Sequence, residues 1–500
     1  MGIIGKQSVQ SSIFIYIGFA IGALNTLVLF QNKDYFTLDQ FGLTKVLVDV
    51  SLLIGMLCTL GTAPAAVKFY PFYNSYLPKK ENDLPIITLL AVTIGCILFL
   101  VVTPLFKDII IRKYGERSPL FVDYFNLIYP LTIPIAFLYL LESYSWAVKK
   151  TVLPAILREV VVRVLTTVCI LLVMLKLVNF SQFIHLYSLI YVLPVLILFF
   201  SLIKGGDLPL HFNISSVTKR LKNRIIVFSL FIFSGQILNL LARTLDSIII
   251  SSQSPGGLKD TGIFTIATYF IALMEVPVRS MTGITFAVLS QAWKDKDLAK
   301  VFSVYRKTAL NLLIAGLAIM GLIVLNIQNV ITILGETYRP MAEVVLILGF
   351  SKLIDLGTGL NSHLLLSSKH WKIEFVTNIF LVVMAGVFNY LLVRKYGIIG
   401  SAWATLIAFT IYNAVRFLLI WKLFKMQPFT LLNLKALMIA AGCFLVCWVI
   451  PTIQNVFLDS AIKSLLFIIL YIFLIIQLKV SYDVNLVYEK IADRIKKYLK

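Results

Sequence analysis

Long apolar stretches recur along this chain of 500 residues and constrain its fold more than any other feature. Each is continuous over about 20 residues, the length that an α-helix needs to cross the hydrocarbon core of a bilayer. Strands of a membrane barrel would instead alternate polar and apolar residues over about 10 positions. We therefore predict an all-α, polytopic membrane protein with fourteen transmembrane helices. Their predicted bounds are 9–31, 42–66, 85–105, 121–142, 159–178, 184–203, 225–251, 263–288, 309–327, 339–366, 374–393, 399–421, 433–450 and 461–478.

The composition supports a membrane protein and bears on its partners. Hydrophobic residues make up 59% of the chain and charged residues 14%, whereas soluble domains carry roughly 25% charged residues. The formal net charge of +21 is compatible with nucleic-acid binding, but the basic residues lie in short loops between the apolar runs. They concentrate in alternate loops, which the positive-inside rule places in the cytoplasm. The sequence therefore predicts a multi-pass protein with both termini cytoplasmic and no nucleic-acid partner.

A polar segment after the sixth apolar run divides the chain. The predicted parts are an N-terminal six-helix lobe (1–204), a cytoplasmic inter-lobe loop (205–224), a C-terminal six-helix lobe (225–422), two additional helices (433–478) and an amphipathic cytoplasmic tail (479–500). Weak internal similarity favours two pseudo-symmetric lobes, since Gly42 and Gly262 open the second helix of each lobe and Glu159 and Glu374 lie near the start of the fifth. Repeats related by an axis along the membrane normal predict a central cavity between the lobes.

Oppositely charged residues occur in pairs inside the predicted spans. The pairs are Lys45/Asp49, Glu159/Arg163 and Glu275/Arg279 at i,i+4, and Arg243/Asp246 and Lys352/Asp355 at i,i+3. Both spacings place the two charges on one face of a helix. Charge inside a bilayer is costly, and it usually faces a bundle interior or a wet cavity along the path of a polar cargo. Two interpretations remain open: the pairs line such a cavity, or they neutralise each other and tie helices together.

Seven charged residues are candidates for cargo binding in the cavity. They are Arg243, Asp246, Glu275, Arg279, Lys352, Asp355 and Arg416. Arg416 has no acidic neighbour three or four residues away, so it is a candidate cation for an anionic cargo; the alternative is that it snorkels to the inner membrane interface. Uncharged candidates of second rank are Asn239, Asn361 and Asn389.

Prolines within the spans are candidate hinges. Pro130, Pro134 and Pro277 lack a backbone N–H and can kink a helix. The sequence predicts no catalytic residue, no metal site and no cofactor, because all five cysteines fall in apolar runs and no phosphate-binding ATPase motif is present. Transport energy would then come from an ion gradient or from downstream consumption of the cargo.

The segment 378–405 carries the most specific pattern in the chain. Tyr396-Gly397 followed by Gly400-Ser401-Ala402 predicts a very tight outer turn and then a small-residue face that lets two helices pack closely. This segment resembles the polysaccharide-export flippases of the multidrug/oligosaccharidyl-lipid/polysaccharide (MOP) superfamily. The motifs Phe41-Gly42-Leu43 and Leu245-Asp246-Ser247, the fourteen spans and the two lobes are also similar to that family.

The resemblance implies a transporter, not an enzyme. It implies alternating access that flips an undecaprenyl-diphosphate-linked oligosaccharide from the inner to the outer leaflet of a bacterial cytoplasmic membrane, for O-antigen, capsule or exopolysaccharide assembly. The implied partners are the lipid-linked oligosaccharide, membrane lipids, a polysaccharide polymerase and glycosyltransferases. The resemblance assigns no role to an individual residue.

Other functions stay open at this point. A multidrug/cation antiporter and a lipid II flippase belong to the same superfamily, but the first usually has an acidic residue in its first helix and the second has arginines there. The first apolar run, 9–30, contains neither. A membrane-embedded polysaccharide polymerase, ligase or O-acyltransferase is the alternative from another class. Such enzymes need a large outer loop or a cavity histidine, and the longest predicted outer loop, 106–120, has no histidine.

Overall fold

The structure is a computed structural model of the chain. It describes residues 3–148, 150–278, 281, 285, 288, 289, 292, 293, 295–486, 488 and 489. Side chains are described for all of these except 3–12, 16, 231, 232, 234–237, 239, 242, 243 and 371. Within this part of the chain every regular element is a helix, which confirms the all-α prediction.

The helices follow one another with short connections. In order they are α1 (Ile3–Leu24), α2 (Leu38–Cys58), α3 (Thr62–Tyr76), α4 (Leu84–Val102), α5 (Lys107–Tyr114), α6 (Pro119–Asp123), α7 (Ile128–Ala147), α8 (Val152–Ala155), α9 (Val162–Met174), α10 (Phe180–Tyr187), α11 (Val192–Lys204), α12 (Ser216–Gln253), α13 (Gly257–Ala272), α14 (Leu298–Leu334), α15 (Pro340–Gly357), α16 (Asn361–Ser367), α17 (Trp371–Phe424), α18 (Leu431–Trp448) and α19 (Val456–Gln477). Single π-helical turns follow α1 (Asn25–Leu29) and precede α9 (Ile156–Val161).

Nine helices among the described residues are long and apolar enough to cross a membrane. This confirms a multi-pass membrane protein. Two of the predicted spans, 374–393 and 399–421, fall within the 54 residues of α17. The count of fourteen spans stays a prediction.

The chain forms two compact units, Met1–Thr265 and Ile266–Lys500. In the first unit α2 packs against α7, α4 and α12. The close approach of α2 and α7 requires a glycine, because a Cβ at Gly55 would lie 2.8 Å from Ile135 Cγ2. Leu43 and Leu47 on α2 and Leu131 on α7 are fully buried.

The helix predicted over 42–66 is interrupted in the structure. Leu60 and Gly61 have φ values of 48° and 74°, so α2 ends at Cys58 and α3 begins at Thr62. A Cβ at Gly61 would lie 2.3 Å from the carbonyl oxygen of Ser229 on α12. The break thus lets the α2–α3 connection touch the backbone of α12.

The predicted inter-lobe loop 205–224 is shorter than the sequence indicated, because α12 starts at Ser216. Ser215 caps this helix and accepts a hydrogen bond from the N–H of Thr218 at 3.1 Å. The carboxylate of Asp83 also accepts hydrogen bonds from the N–H of Ser215 and the hydroxyl of Thr218, both at 2.8 Å. The basic residues up to position 224 therefore belong to the first turns of a helix.

In the second unit α14 packs against α15, α18 and α19. Polar contacts join α14 to α19: Asn329 donates to Asp459 at 2.7 Å, and Tyr471 donates to the carbonyl of Ile314 at 3.0 Å. The two helices predicted within 433–478 are α18 and α19. Only residues 479–486, 488 and 489 of the predicted amphipathic tail lie within the described residues.

Helix α17 is two antiparallel helices that turn at Gly397. Gly397 has φ 58° and ψ −138°, a conformation that essentially only glycine adopts. The hydroxyl of Ser401 donates to Asn389 at 2.7 Å, and that of Tyr412 donates to Asn378 at 2.9 Å. Both pairs are centred on position 395, so the two arms run antiparallel in one register. The predicted tight turn is therefore confirmed.

The glycines that open α2 and α13 make a reciprocal contact. A Cβ at Gly42 would lie 2.0 Å from the carbonyl oxygen of Leu258, and one at Gly262 would lie 2.9 Å from that of Leu38. Gly262 lies 220 residues after Gly42, and Leu258 lies 220 residues after Leu38, so the two contacts are equivalent under this shift. A two-fold relation has this self-complementary form.

Candidate functional site

A continuous network of charged and amide side chains runs through the second unit. It begins at Glu275, in the 3-10 turn Leu273–Glu275 after α13, and ends at Glu374, on the first arm of α17. Its other charged members are Lys352 and Asp355 on α15 and Arg416 on the second arm of α17. Since α15 and both arms of α17 are largely apolar, the network is the feature of this unit that most needs a functional explanation.

Lys352 occupies the more open end of the network. Its ammonium group lies 3.0 Å from Asp355 Oδ2 and 3.4 Å from Glu275 Oε1. The exposed fractions of the side chains are 17% for Lys352, 27% for Asp355 and 38% for Glu275. The lysine therefore bridges two carboxylates that solvent or a ligand can reach.

Amide and hydroxyl groups continue the network inward. Asn413 donates to Asp355 Oδ1 at 3.4 Å, and its own amide oxygen accepts from Asn361 and Thr358, both at 3.1 Å. These three residues are at most 5% exposed. They link α15, α16 and the second arm of α17 by hydrogen bonds.

Arg416 forms the buried end of the network. The residue is 2% exposed; its guanidinium donates to Asn361 Oδ1 and Thr377 Oγ1, both at 3.3 Å. It also pairs with the carboxylate of Glu374, and the ring of Tyr412 lies 3.9 Å from its Cζ. The interpretation that Arg416 snorkels to the membrane interface is therefore wrong.

Glu374 is bound by two further donors, one on α16 and one on its own arm of α17. Its Oε1 accepts from the hydroxyl of Ser362 at 2.5 Å and from Asn378 at 3.2 Å. The turn at Gly397 sets the register that places Glu374 opposite Arg416. The motif that resembles the polysaccharide flippases thus positions an ion pair that the spacing rules missed.

The described residues of the network carry charges of both signs. They include three carboxylates and two cations. Removing one partner of a buried pair is strongly destabilising, because the other charge stays in a medium that solvates it poorly. The buried end therefore has a structural requirement for both Arg416 and Glu374, whatever the open end binds.

The predicted cavity residues fall into three groups. Glu275, Lys352, Asp355 and Arg416 are brought together in the network. Asp246 lies on α12 in the first unit. Arg279 and the side chain of Arg243 lie outside the described residues.

Two predicted pairs of the first unit form ion pairs. Lys45 lies 2.8 Å from Asp49, whose other oxygen accepts from Ser247 of α12 at 2.5 Å. Arg163 lies 3.0 Å from Glu159. In both cases the observed contact confirms the spacing argument.

A second cluster of charges surrounds Glu159. Arg158 lies 3.0 Å from Glu142 and 4.0 Å from Glu159, so four charges alternate along α7, the π-turn and α9. Asn25, in the other π-turn, donates to the carbonyl of Arg163 at 2.9 Å. The side chains of Arg163 and Glu159 are 29% and 23% exposed, which places this cluster between the surface and the core.

The candidate hinges differ in their local structure. Pro134 lies inside α7, where it removes a helical hydrogen bond, whereas Pro130 lies in the first turn, where a missing N–H costs little. Pro277 leaves the carbonyl of Leu273 without its usual partner, and the N–H of Val276 donates to that carbonyl instead in a 3-10 turn. Pro134 and Pro277 each remove a helical hydrogen bond, so both remain candidate hinges.

Some residues of the site were not predicted. Glu374 and Thr358 lie 42 and 58 residues from Arg416, and no local spacing rule pairs them with it. Asn413 lies three residues from Arg416, but it is uncharged, so the charge-pair rule does not select it. Asn361 was a second-rank candidate, and the structure places it at the centre of the network. The only signal that could have found Glu374 is its placement one hairpin arm away from Arg416, given a turn at Gly397.

Comparison with known proteins shows which solved structures share this fold. No protein-family model and no curated protein sequence matches the chain. Among solved structures, a lipid II flippase, MurJ, in an inward closed conformation matches with a TM-score of 0.75 and 15% identity over 93% of this chain and 97% of that chain. The chain therefore shares the fold of that structure.

Two further structures define the wider fold class. An inward-facing multidrug resistance MATE family transporter of the MOP superfamily matches with a TM-score of 0.65 and 16% identity, over 85% of this chain and 95% of that chain. A MOP superfamily transporter from Pyrococcus furiosus matches with a TM-score of 0.59 and 16% identity, over 85% and 96%. The fold is thus the one shared by MOP superfamily transporters.

Proposed function

We propose that the protein is a transporter that flips an undecaprenyl-diphosphate-linked oligosaccharide from the inner to the outer leaflet of a bacterial cytoplasmic membrane. The observation that carries the proposal is the continuous polar network from Glu275 to Glu374 inside an apolar helical unit. The open end of this network offers charged donors and acceptors to a polar cargo. The fold of the chain is that of known flippases and transporters. The sequence resemblance at 378–405 favours a polysaccharide pathway.

The proposed architecture has fourteen spans, two pseudo-symmetric lobes and both termini in the cytoplasm. The reciprocal contact of Gly42 and Gly262 supports the internal repeat. The flippase structure covers 93% of this chain and the multidrug transporter 85%.

Two other transport functions have specific support. The fold supports a lipid II flippase equally. A multidrug or cation antiporter is supported by the fold of the MATE family transporter, which matches with a TM-score of 0.65. An O-antigen, capsule or exopolysaccharide intermediate is the cargo that we propose among the three.

Complementation in three bacterial strains separates these functions. The first strain lacks its own polysaccharide flippase, the second is depleted of its lipid II flippase, and the third lacks multidrug exporters. We expect this protein to restore surface polysaccharide in the first strain. Because flippases can prefer particular sugars, the first arm uses several strains that differ in their repeat units.

The control is the same protein with Asp355→Asn and Lys352→Met together, which removes two charges from the open end. Membrane protein level is measured alongside in every strain. Growth restored only in the second strain, or resistance to cationic drugs only in the third, would replace the proposed cargo. No rescue in any strain at normal protein level would contradict a transport role for these three cargo classes.

A further inference from the structure

We propose that Glu275, Lys352 and Asp355, here called the Lys352 triad, form a specificity site that binds hydroxyl groups of the saccharide and not its diphosphate. This inference rests on the proposed function. It assigns these residues to the saccharide part of the cargo. Lys352, which the sequence predicted as a residue of the cargo cavity, then binds hydroxyl groups and not phosphate.

Exposure separates the triad from the rest of the network. Its three side chains are 17–38% exposed, whereas those of Arg416 and Glu374 are 3% and 9% exposed. A ligand can therefore reach the triad, while it cannot reach Arg416 without breaking contacts to Glu374, Asn361 and Thr377. Arg416 is a positioning residue.

The charge of the triad decides which chemical group it accepts. Lys352 already lies within 3.4 Å of one carboxylate and 3.0 Å of another. A diphosphate bound to this ammonium would bring like charges to two carboxylates, and like charges a few ångströms apart repel strongly in a medium of low dielectric. The ammonium is therefore a poor anchor for phosphate.

Sugar hydroxyls fit the same groups. A hydroxyl donates one hydrogen bond and accepts others, so it can donate to a carboxylate of Glu275 or Asp355 and accept from Lys352. Hydrogen bonds of this kind are strengthened by the charge of the protein partner. Three charged groups on two elements can thus bind neighbouring hydroxyls of one sugar ring.

The buried part of the network fixes the geometry of the triad. Asn413 donates to Asp355 Oδ1, and Asn413 is held in turn by Asn361 and Thr358. Arg416 donates to Asn361, which orients that amide toward Asn413. The carboxylate of Asp355 is therefore held by a chain of hydrogen bonds that ends at the Arg416–Glu374 ion pair.

The test compares two lipid probes on the full-length protein in lipid nanodiscs. One probe is undecaprenyl diphosphate, and the other is undecaprenyl diphosphate carrying N-acetylglucosamine and a short oligosaccharide. Dissociation constants are measured for the wild type, Asp355→Asn and Lys352→Met. Glu336→Gln is the control, since it is the same acid-to-amide change on a side chain that is 84% exposed and outside the network.

We expect the triad variants to bind the saccharide-bearing lipid about tenfold or more weakly, which corresponds to the loss of one charged hydrogen bond. Their affinity for undecaprenyl diphosphate should stay within twofold of the wild type, and the control should change neither value. Retained binding of the bare lipid also shows that the variants are folded. The conservative variant Asp355→Glu should recover part of the lost affinity.

Three results would overturn the inference. Equal loss for both lipids in a variant that melts like the wild type would show that the triad binds the diphosphate. Unchanged affinity for both lipids would show that the triad contacts neither part. If the wild type binds neither lipid, the proposed function itself is refuted, and the inference with it. If Asp355→Asn fails to fold, Asp355→Glu and Lys352→Met decide the question.

Discussion

Replacing Arg416 by alanine removes the cation that neutralises Glu374 in the buried part of the second unit. Glu374 is 7% exposed and, within the part of the chain that the structure describes, would keep its hydrogen bonds from Ser362 at 2.5 Å and Asn378 at 3.2 Å. Breaking a buried pair in this way costs about 3–5 kcal/mol. We therefore expect Arg416→Ala to lower the free energy of unfolding by about this amount.

The pairing can be isolated by a double-mutant cycle. Glu374→Gln with Arg416→Ala removes both charges, so the double variant should be more stable than Arg416→Ala alone. Arg339→Ala is the matched control, because Arg339 forms an ion pair with Glu336 at 3.9 Å with both side chains more than 80% exposed. Exposed pairs contribute about 0–1 kcal/mol, so this control should change stability little.

Unfolding is followed in detergent micelles by titration with sodium dodecyl sulfate, with helix content measured by circular dichroism. A single variant that is as stable as the control would refute the structural role of the pair. Equal destabilisation by Arg416→Ala and by the double variant would show that the two charges do not interact.

Three other predictions concern the fold. Gly397→Ala should destabilise the α17 hairpin by about 1–3 kcal/mol in the same titration, because φ 58° with ψ −138° strains any residue with a Cβ; unchanged stability would contradict the turn. Gly42→Ala should cost about 1–3 kcal/mol through its clash with a backbone carbonyl of α13, whereas Gly442→Ala, with nothing within 4 Å, should not destabilise the protein; equal effects would count against the close helix crossing. A reporter inserted in the loop 205–215 should be cytoplasmic and one in 106–120 external, and the reverse result would refute the proposed topology.

The helices and the hairpin turn followed from local sequence. Continuous apolar runs predicted membrane helices because no other spanning element satisfies its backbone groups over such a run. The turn at Gly397 was predicted because a glycine followed by small residues permits a left-handed backbone and close helix contact. The break at Leu60 and Gly61 was not predicted, because the apolar run over 42–66 continues through both residues and outweighed the single glycine.

Only part of the candidate site could be predicted from local sequence. The pairs Lys45/Asp49 and Lys352/Asp355 were found because residues three or four apart share a helix face. The pairing of Arg416 with Glu374 depends on a hairpin register across 42 positions, and that of Lys352 with Glu275 joins two helices. Such contacts are set by tertiary packing, which local spacing cannot show.

The most direct test of the account is a leaflet-accessibility assay in proteoliposomes. Purified protein is reconstituted with undecaprenyl-diphosphate-linked oligosaccharide, and an enzyme that cannot cross the membrane oxidises every sugar that reaches the outer leaflet. The account predicts that the wild type lets the enzyme consume the inner-leaflet sugar as well, and that Arg416→Ala with Glu374→Gln slows this consumption. Consumption limited to the outer-leaflet share, as in vesicles without protein, would contradict the claim that this chain moves lipid-linked saccharides.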